Sequence, residues 1–336
     1  MKKRGIGIAY VLHPTGNKGG GDPSHAVIQL KPDGTYVLLI GAMDLGQGAP
    51  TILRQVAADA LGVPIEKILV SNYDNLLPLS VSTSGSRVTL IDPHAVVNAA
   101  EDLKQQIREW FAQQHEANAK DVEIEGETVY IRGDRERTIM TMEQVAMGAA
   151  WGGGYEPAAL VGKGAWQPGK YHANDPETGE MPNVGAISFG AALAEVEVDT
   201  ETGNVDVLRF AQVWEVGKAI NPLLVRQQIN GGYCIGAGFA LTESFYPYFP
   251  SVEYAPEKMG DYFMATFEDY PQQMIYGIEE VPHPNGVQGA KGFSEGAASG
   301  PPPAIASAIH DAIGVWITEF PITPEAILRA LETKGT

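Results

Sequence analysis

Cysteine is almost missing from this chain: Cys234 stands alone among 336 residues. A single thiol excludes a disulfide framework, a multi-cysteine zinc site and any iron–sulfur cluster held by this chain alone. It fits a reducing compartment. Basic residues are also short, with 23 Lys and Arg against 41 Asp and Glu and a formal charge of −18. Such a surface repels phosphate backbones and anionic lipid, which argues against a nucleic-acid or membrane-surface binder. No uninterrupted apolar run approaches the roughly 18 residues of a membrane span. The start Met1-Lys2-Lys3-Arg4 with apolar residues 5–12 imitates a signal peptide. The run is short, however, ends at His13-Pro14 and has no small-x-small cleavage site behind it. Its alternation of Ile6, Ile8, Tyr10 and Leu12 predicts a strand, and the expected location is the cytoplasm.

Several catalytic signatures are lacking too. There is no GxxxxGK[ST], no GxGxxG after a strand, no GxSxG and no HExxH. The seven histidines are scattered without metal-ligand spacing. A hydrolase triad and a histidine-held zinc are therefore unsupported.

Apolar residues at 44% and charged residues at 19% permit a large core. Residues 26–30 and 35–40 flank Pro32-Asp33-Gly34 as a hairpin, and 50–61 carries a helical stripe closed by Gly62. A longer helix is predicted over 95–114 and a small hairpin over 121–135. Strands 191–199 and 205–214 join at Glu201-Thr202-Gly203, and a helix begins at Pro222. Later helices follow Pro301-Pro302-Pro303 and Thr323-Pro324-Glu325. The halves echo one another: each reads hairpin, glycine loop, helix. The predicted class is α+β, two related lobes of mixed and antiparallel sheet with packed helices. The expected lobes are 1–150 and 183–336, joined by a Gly/Pro-rich connection at 151–182.

Four polar glycine loops are the candidate sites. In Gly46-Gln47-Gly48, before the Pro50 helix, backbone N–H groups and a helix N-terminus make a potential anion cradle, and Gln47 offers donor and acceptor. Ser82-Thr83-Ser84-Gly85-Ser86-Arg87 interleaves hydroxyls with glycine, and Arg87 can pair with an anion. Gln228 precedes Gly231-Gly232 on a helix, where core packing competes with a ligand role. Gly289-Ala290-Lys291-Gly292-Phe293-Ser294-Glu295-Gly296 places one carboxylate among small residues, where desolvation raises a pKa toward that of a general base.

In this order, these loops resemble the C-terminal molybdopterin-binding domain of the xanthine dehydrogenase/aldehyde oxidase family of molybdenum hydroxylases. Phe189-Gly190, Glu195 to Asp199, Val216-Gly217-Lys218-Ala219-Ile220-Asn221-Pro222 and Pro324-Glu325 extend the resemblance over nearly the whole chain. Departures are Lys218 for the usual arginine, Ile235 for a common glutamine and Gly296 for the proline that usually follows the glutamate. The resemblance implies Glu295 as general base, and Gly46, Gln47, Gly48, Ser82, Ser84, Gly85, Ser86, Arg87, Gln228, Lys291 and Gly292 as cofactor contacts. Molybdenum would be held by the dithiolene of molybdopterin, in its cytosine dinucleotide form, with no direct protein ligand. The arrangement most like it is the medium molybdopterin subunit of nicotinate dehydrogenase. That implies a large molybdopterin subunit, an iron–sulfur subunit and an FAD subunit as partners. The implied reaction is hydroxylation of an N-heterocycle, nicotinate to 6-hydroxynicotinate, with water as oxygen source and NADP as acceptor. A purine or aldehyde hydroxylase subunit and a non-catalytic molybdopterin carrier are the alternatives. Arg87 and Lys291 are the expected cations for an anionic substrate, and Glu295 is expected to be shielded from bulk water.

Overall fold

Period-two apolar alternation writes the strands, and stripes at three- and four-residue spacing write the helices. The computed structural model describes residues 1–16, 21–71, 74–169, 175–179, 185–244 and 258–335. The first half runs β1 (Lys2–Thr15), β2 (Ser24–Leu30), β3 (Tyr36–Ile40), α1 (Ala49–Leu61), β4 (Ile68–Ser71) and α2 (Val88–Gln114). It continues with β5 (Val122–Glu125), β6 (Thr128–Ile131), α3 (Arg135–Thr138), β7 (Met140–Thr141), α4 (Met142–Trp151) and β8 (Val161–Trp166). The second half adds β9 (Ala186–Asp199), β10 (Val205–Glu215), α5 (Pro222–Leu241), β11 (Gln273–Glu279), α6 (Gly296–Ser299), α7 (Pro301–Ile313) and α8 (Pro324–Gly335). The architecture is α+β, as the sequence predicts.

Two compact units form, and they are interleaved. One comprises Thr15–Ala186 with Pro284–Gly292; the other comprises Met1–Pro14, Ile187–His283 and Phe293–Thr336. The consecutive lobes expected from sequence differ from this because β1 joins the sheet of β9, β10 and β11.

In the first unit the sheet order is β4-β3-β2-β8. β2 and β3 are the expected hairpin, with Val27 opposite Leu39, and β4 returns parallel to β3 after α1. Ile28, Leu38, Ile40 and Ile68 of the sheet are buried, as is Leu53 of α1. A second, small sheet runs β5-β6-β7. The long helix starts at Val88, seven residues before its expected start, and carries Pro93 in its second turn. That proline removes one helical hydrogen bond and imitates a boundary in sequence.

The expected connection 151–182 is corrected in part. Residues 170–174 and 180–182 lie outside the described set, but 161–166 is β8, paired antiparallel with β2. Its glycines are close-approach positions. A Cβ at Gly162 would lie 2.1 Å from the Ala99 carbonyl oxygen, and one at Gly164 would lie 2.0 Å from that of Ala95. Helix α2 therefore rests directly on strand backbone.

The other unit repeats the plan, with sheet order β1-β9-β10-β11. β9 and β10 form a hairpin, and β11 returns parallel to β10 after α5. Asn221 caps α5 by accepting from the Leu224 N–H, with Pro222 in the first turn. On the edge strand, a Cβ at Gly5 would meet Ala308 at 2.2 Å and one at Gly7 would meet Ala304 at 2.1 Å. Both units thus seat an alanine-faced helix on a Gly-x-Gly edge strand. The echo seen in sequence is a shared topology.

Gly164→Val is expected to destabilise the chain by about 1–3 kcal/mol through overpacking of α2. Urea unfolding of the full chain checks this, and an unchanged midpoint would contradict direct helix-on-backbone contact.

Candidate functional site

The first unit holds loops 46–48 and 82–87 with residues 289–292 of the last loop. In loop 43–48 the side chains satisfy the backbone. Leu45 N–H donates to Gln47 Oε1 (2.5 Å), and Gly46 and Gly48 N–H both donate to Asp44 Oδ1 (3.0 and 3.1 Å). Gln47 Nε2 donates to the Met43 carbonyl (2.9 Å). The expected N–H anion cradle is therefore corrected: three of its donors are engaged inside the loop. Gln47 keeps one N–H and one lone pair for a ligand. Gly46 has a φ of 99° and no atom within 4 Å of where a Cβ would sit, so its surface is open.

Thr83, which sequence reasoning passed over as a site residue, ties this loop to residues 82–87. Its hydroxyl accepts from Met43 N–H (3.1 Å) and reaches the Met43 carbonyl (3.3 Å). The Ser82 and Ser84 hydroxyls lie 3.0 Å apart. Gly16 N–H donates to the Gly85 carbonyl (2.8 Å), which fastens the loop from below. Ser86 adopts a φ of 50°, and a Cβ at Gly292 would lie only 1.7 Å from the Ser86 carbonyl oxygen. Gly292 is thus required by backbone contact. Lys291 beside it is buried.

Arg87 is placed differently from expectation. Its side chain is fully buried and makes an ion pair through Nε with Asp22. Nη1 donates to Ser80 Oγ (2.8 Å) and Asp92 (3.2 Å), and Nη2 donates to the Pro23 carbonyl (3.0 Å). Burial pushes the Asp92 carboxyl up, while Arg87 pulls it down. Every nitrogen of the guanidinium is engaged, so Arg87 holds the loop from behind and cannot serve an anionic substrate. In sequence, an arginine after serines gives no sign of two acidic partners 65 residues upstream and 5 residues downstream.

In the other unit, Glu295 heads the short α6. Gly232 and Gly236 of α5 press on that helix: Cβ atoms there would lie 2.5 Å from the Ala297 Cβ and 2.6 Å from the Ala298 carbonyl oxygen. Gln228, half-buried, sits one turn before Gly232. Phe293 packs its ring 5.6 Å from that of Trp214, which is fully buried. The Glu295 carboxyl lies 3.7 Å from His13 Nε2 and its side chain is 52% exposed. The shielding expected for this carboxylate is not supplied by the chain itself.

The polar groups of the first unit's loops are serine hydroxyls and the Gln47 amide, which fit hydrogen bonding to an organic cofactor. Among the described residues no cluster of three or more His, Cys, Asp or Glu could hold a metal ion.

Residues 1–271 match the model of the molybdopterin cofactor-binding domain. The chain belongs to that family, the molybdopterin-binding domain of xanthine dehydrogenase and aldehyde oxidoreductase-type proteins. It is 30% identical, over 97% of its length, to the gamma subunit of the 6-hydroxypseudooxynicotine dehydrogenase complex of Paenarthrobacter nicotinovorans. It is 27% identical, over 99% of its length, to the xanthine dehydrogenase molybdenum-binding subunit of Escherichia coli O157:H7. The chain spans 39% and 43% of those two proteins. The crystal structure of quinoline 2-oxidoreductase from Pseudomonas putida 86 superposes with a TM-score of 0.80 at 25% identity, covering 98% of this chain and 42% of that one.

Arg87→Met removes one side of a buried charge cluster and is expected to cost roughly 3–5 kcal/mol. A wild-type urea midpoint for that variant would show that the guanidinium is not structural.

Proposed function

We propose that this chain supplies cofactor-binding loops and the general base of a molybdenum hydroxylase acting on a small N-heterocycle, with nicotinate the first substrate to test. The observation that carries this reading is Glu295. It is a carboxylate fixed at its backbone by buried Phe293 and Gly296 yet half exposed at its oxygens, in a chain of the molybdopterin-binding family. Bound molybdopterin supplies the two-electron redox chemistry, and the cytosine dinucleotide is the proposed form.

The protein's own share is holding and proton transfer. Ser82, Ser84 and Ser86, with the open backbone at Gly46, offer hydroxyl and carbonyl contacts, and Gly48 and Gly85 supply the left-handed turns that shape the two loops. Gln47 and Gln228 offer amides, and Gly292 with Lys291 fixes the wall behind Ser86. Glu295 takes up a proton as the oxygen nucleophile forms, help worth about 10²–10⁴-fold. Support for an N-heterocycle comes from the relatives named for a nicotine derivative and for quinoline. An aldehyde oxidoreductase from Desulfovibrio gigas is as similar, with a TM-score of 0.79 at 26% identity, so aldehydes belong in the same turnover assay. Electrons would leave through iron–sulfur and FAD subunits to NADP, since one cysteine cannot ligate a cluster.

A large molybdopterin subunit is the proposed partner. The outward face of β1 shows Ile6, Ile8, Tyr10 and Leu12, and neighbouring β9 adds Ile187 and Phe189, all exposed. Exposed apolar residues on neighbouring strands are the candidate surface for that partner. Tyr10→Asp is expected to weaken assembly about tenfold or more, the scale of one hot spot. Co-purification at matched concentrations measures it.

Glu295→Gln is expected to leave molybdenum and pterin content unchanged and lower turnover of the native complex by two to four orders of magnitude. Near-normal turnover refutes the base assignment. A chain that carries molybdopterin but turns over neither nicotinate, purines nor aldehydes in any assembly would be a carrier.

A further inference from the structure

We infer that His13 is a positioning residue for Glu295, an inference that rests on Glu295 acting as the base. His13 lies near the end of β1, its side chain 15% exposed, with Nε2 3.7 Å from Glu295 Oε2. That separation is within ion-pair reach and just beyond a direct hydrogen bond. The two residues are 282 positions apart and are brought together by a specific piece of packing. A Cβ at Gly296 would lie 2.8 Å from the His13 Cβ and 2.5 Å from the Trp214 ring. Glycine at 296 is what allows both side chains to press against the residue that follows the glutamate. Any larger residue at 296 would put a Cβ into that contact.

The division of labour follows from exposure. Backbone packing fixes where the Glu295 side chain begins, and three further torsions set where its half-exposed carboxylate lies. A general base delivers its full effect only when held in reacting geometry. The His13 imidazole, itself held by burial, places an N–H and, when protonated, a positive charge within ion-pair reach of one carboxylate oxygen. His13 touches neither substrate nor cofactor in this account; it acts through Glu295.

The test uses the native complex with His13→Phe and His13→Gln, and the full chain for spectroscopy. His13→Phe is expected to lower kcat about 10- to 100-fold, with KM within twofold and molybdenum content unchanged. His13→Gln, which restores an N–H donor, is expected to recover most of that loss. In proton NMR of the full chain, the His13 ring resonance is assigned by its disappearance in His13→Gln. It is expected to titrate at higher pH in the wild type than in Glu295→Gln, because a neighbouring carboxylate favours the imidazolium. Wild-type kcat in His13→Phe, failure of glutamine to rescue, or a His13 titration indifferent to residue 295 would each overturn the inference. Should His13→Phe not assemble, the titration decides alone. Full turnover in Glu295→Gln with the titration shift intact would instead remove the base and leave the contact standing.

Discussion

Close approach of bare backbone is the constraint on which this molecule depends. Gly162 and Gly164 seat one helix, Gly5 and Gly7 seat another, Gly232 and Gly236 seat the glutamate-bearing turn, and Gly292 lets the Ser86 loop lie against its neighbour. At each position a single carbon atom would sit within 1.7–2.6 Å of another residue. Glycine lowers the helix propensity of α5 and leaves strand interiors without side chains to pack. The compensation is dispersion contact between main chains that no larger residue permits. The candidate loops are therefore held by geometry in the scaffold behind them.

Much of the fold is legible because local signals and tertiary structure agree. The hairpin at Asp33-Gly34, the helix opened by Pro50 and closed by Gly62, the capped helix at Asn221-Pro222 and the stop at Gly314 all form where turn and cap chemistry puts them. Two failures have one origin. Gly162 and Gly164 read as linker because a residue without a side chain looks the same in a loop and beneath a helix. Pro93 reads as a boundary because its steric rule is local, whereas α2 is anchored by burial on both sides of it. Pairing of β1 with β9 lies beyond any local signal.

The candidate loops stand out in the sequence, and their atomic contacts do not. Residue types single out these segments, yet spacing cannot report that Asp44 and Gln47 use up loop donors, or that Thr83 bridges two loops. Arg87 is the sharpest case. A cation in a serine-rich loop suits an anion, but Asp22 and Asp92 enclose it, and a buried charge so paired has no capacity left for another ligand. In a chain with net charge −18, an inward-facing arginine is a structural use of a scarce cation.

The placement of the first strand has a consequence for biogenesis. β1 leaves the ribosome before the other elements described, yet its sheet neighbour begins about 170 residues later and the helix that covers its glycines comes after residue 300. At ordinary synthesis rates that leaves a long apolar ribbon unpaired for roughly ten to thirty seconds. Over that interval the ribbon is a template for off-pathway strand addition until its proper neighbour emerges.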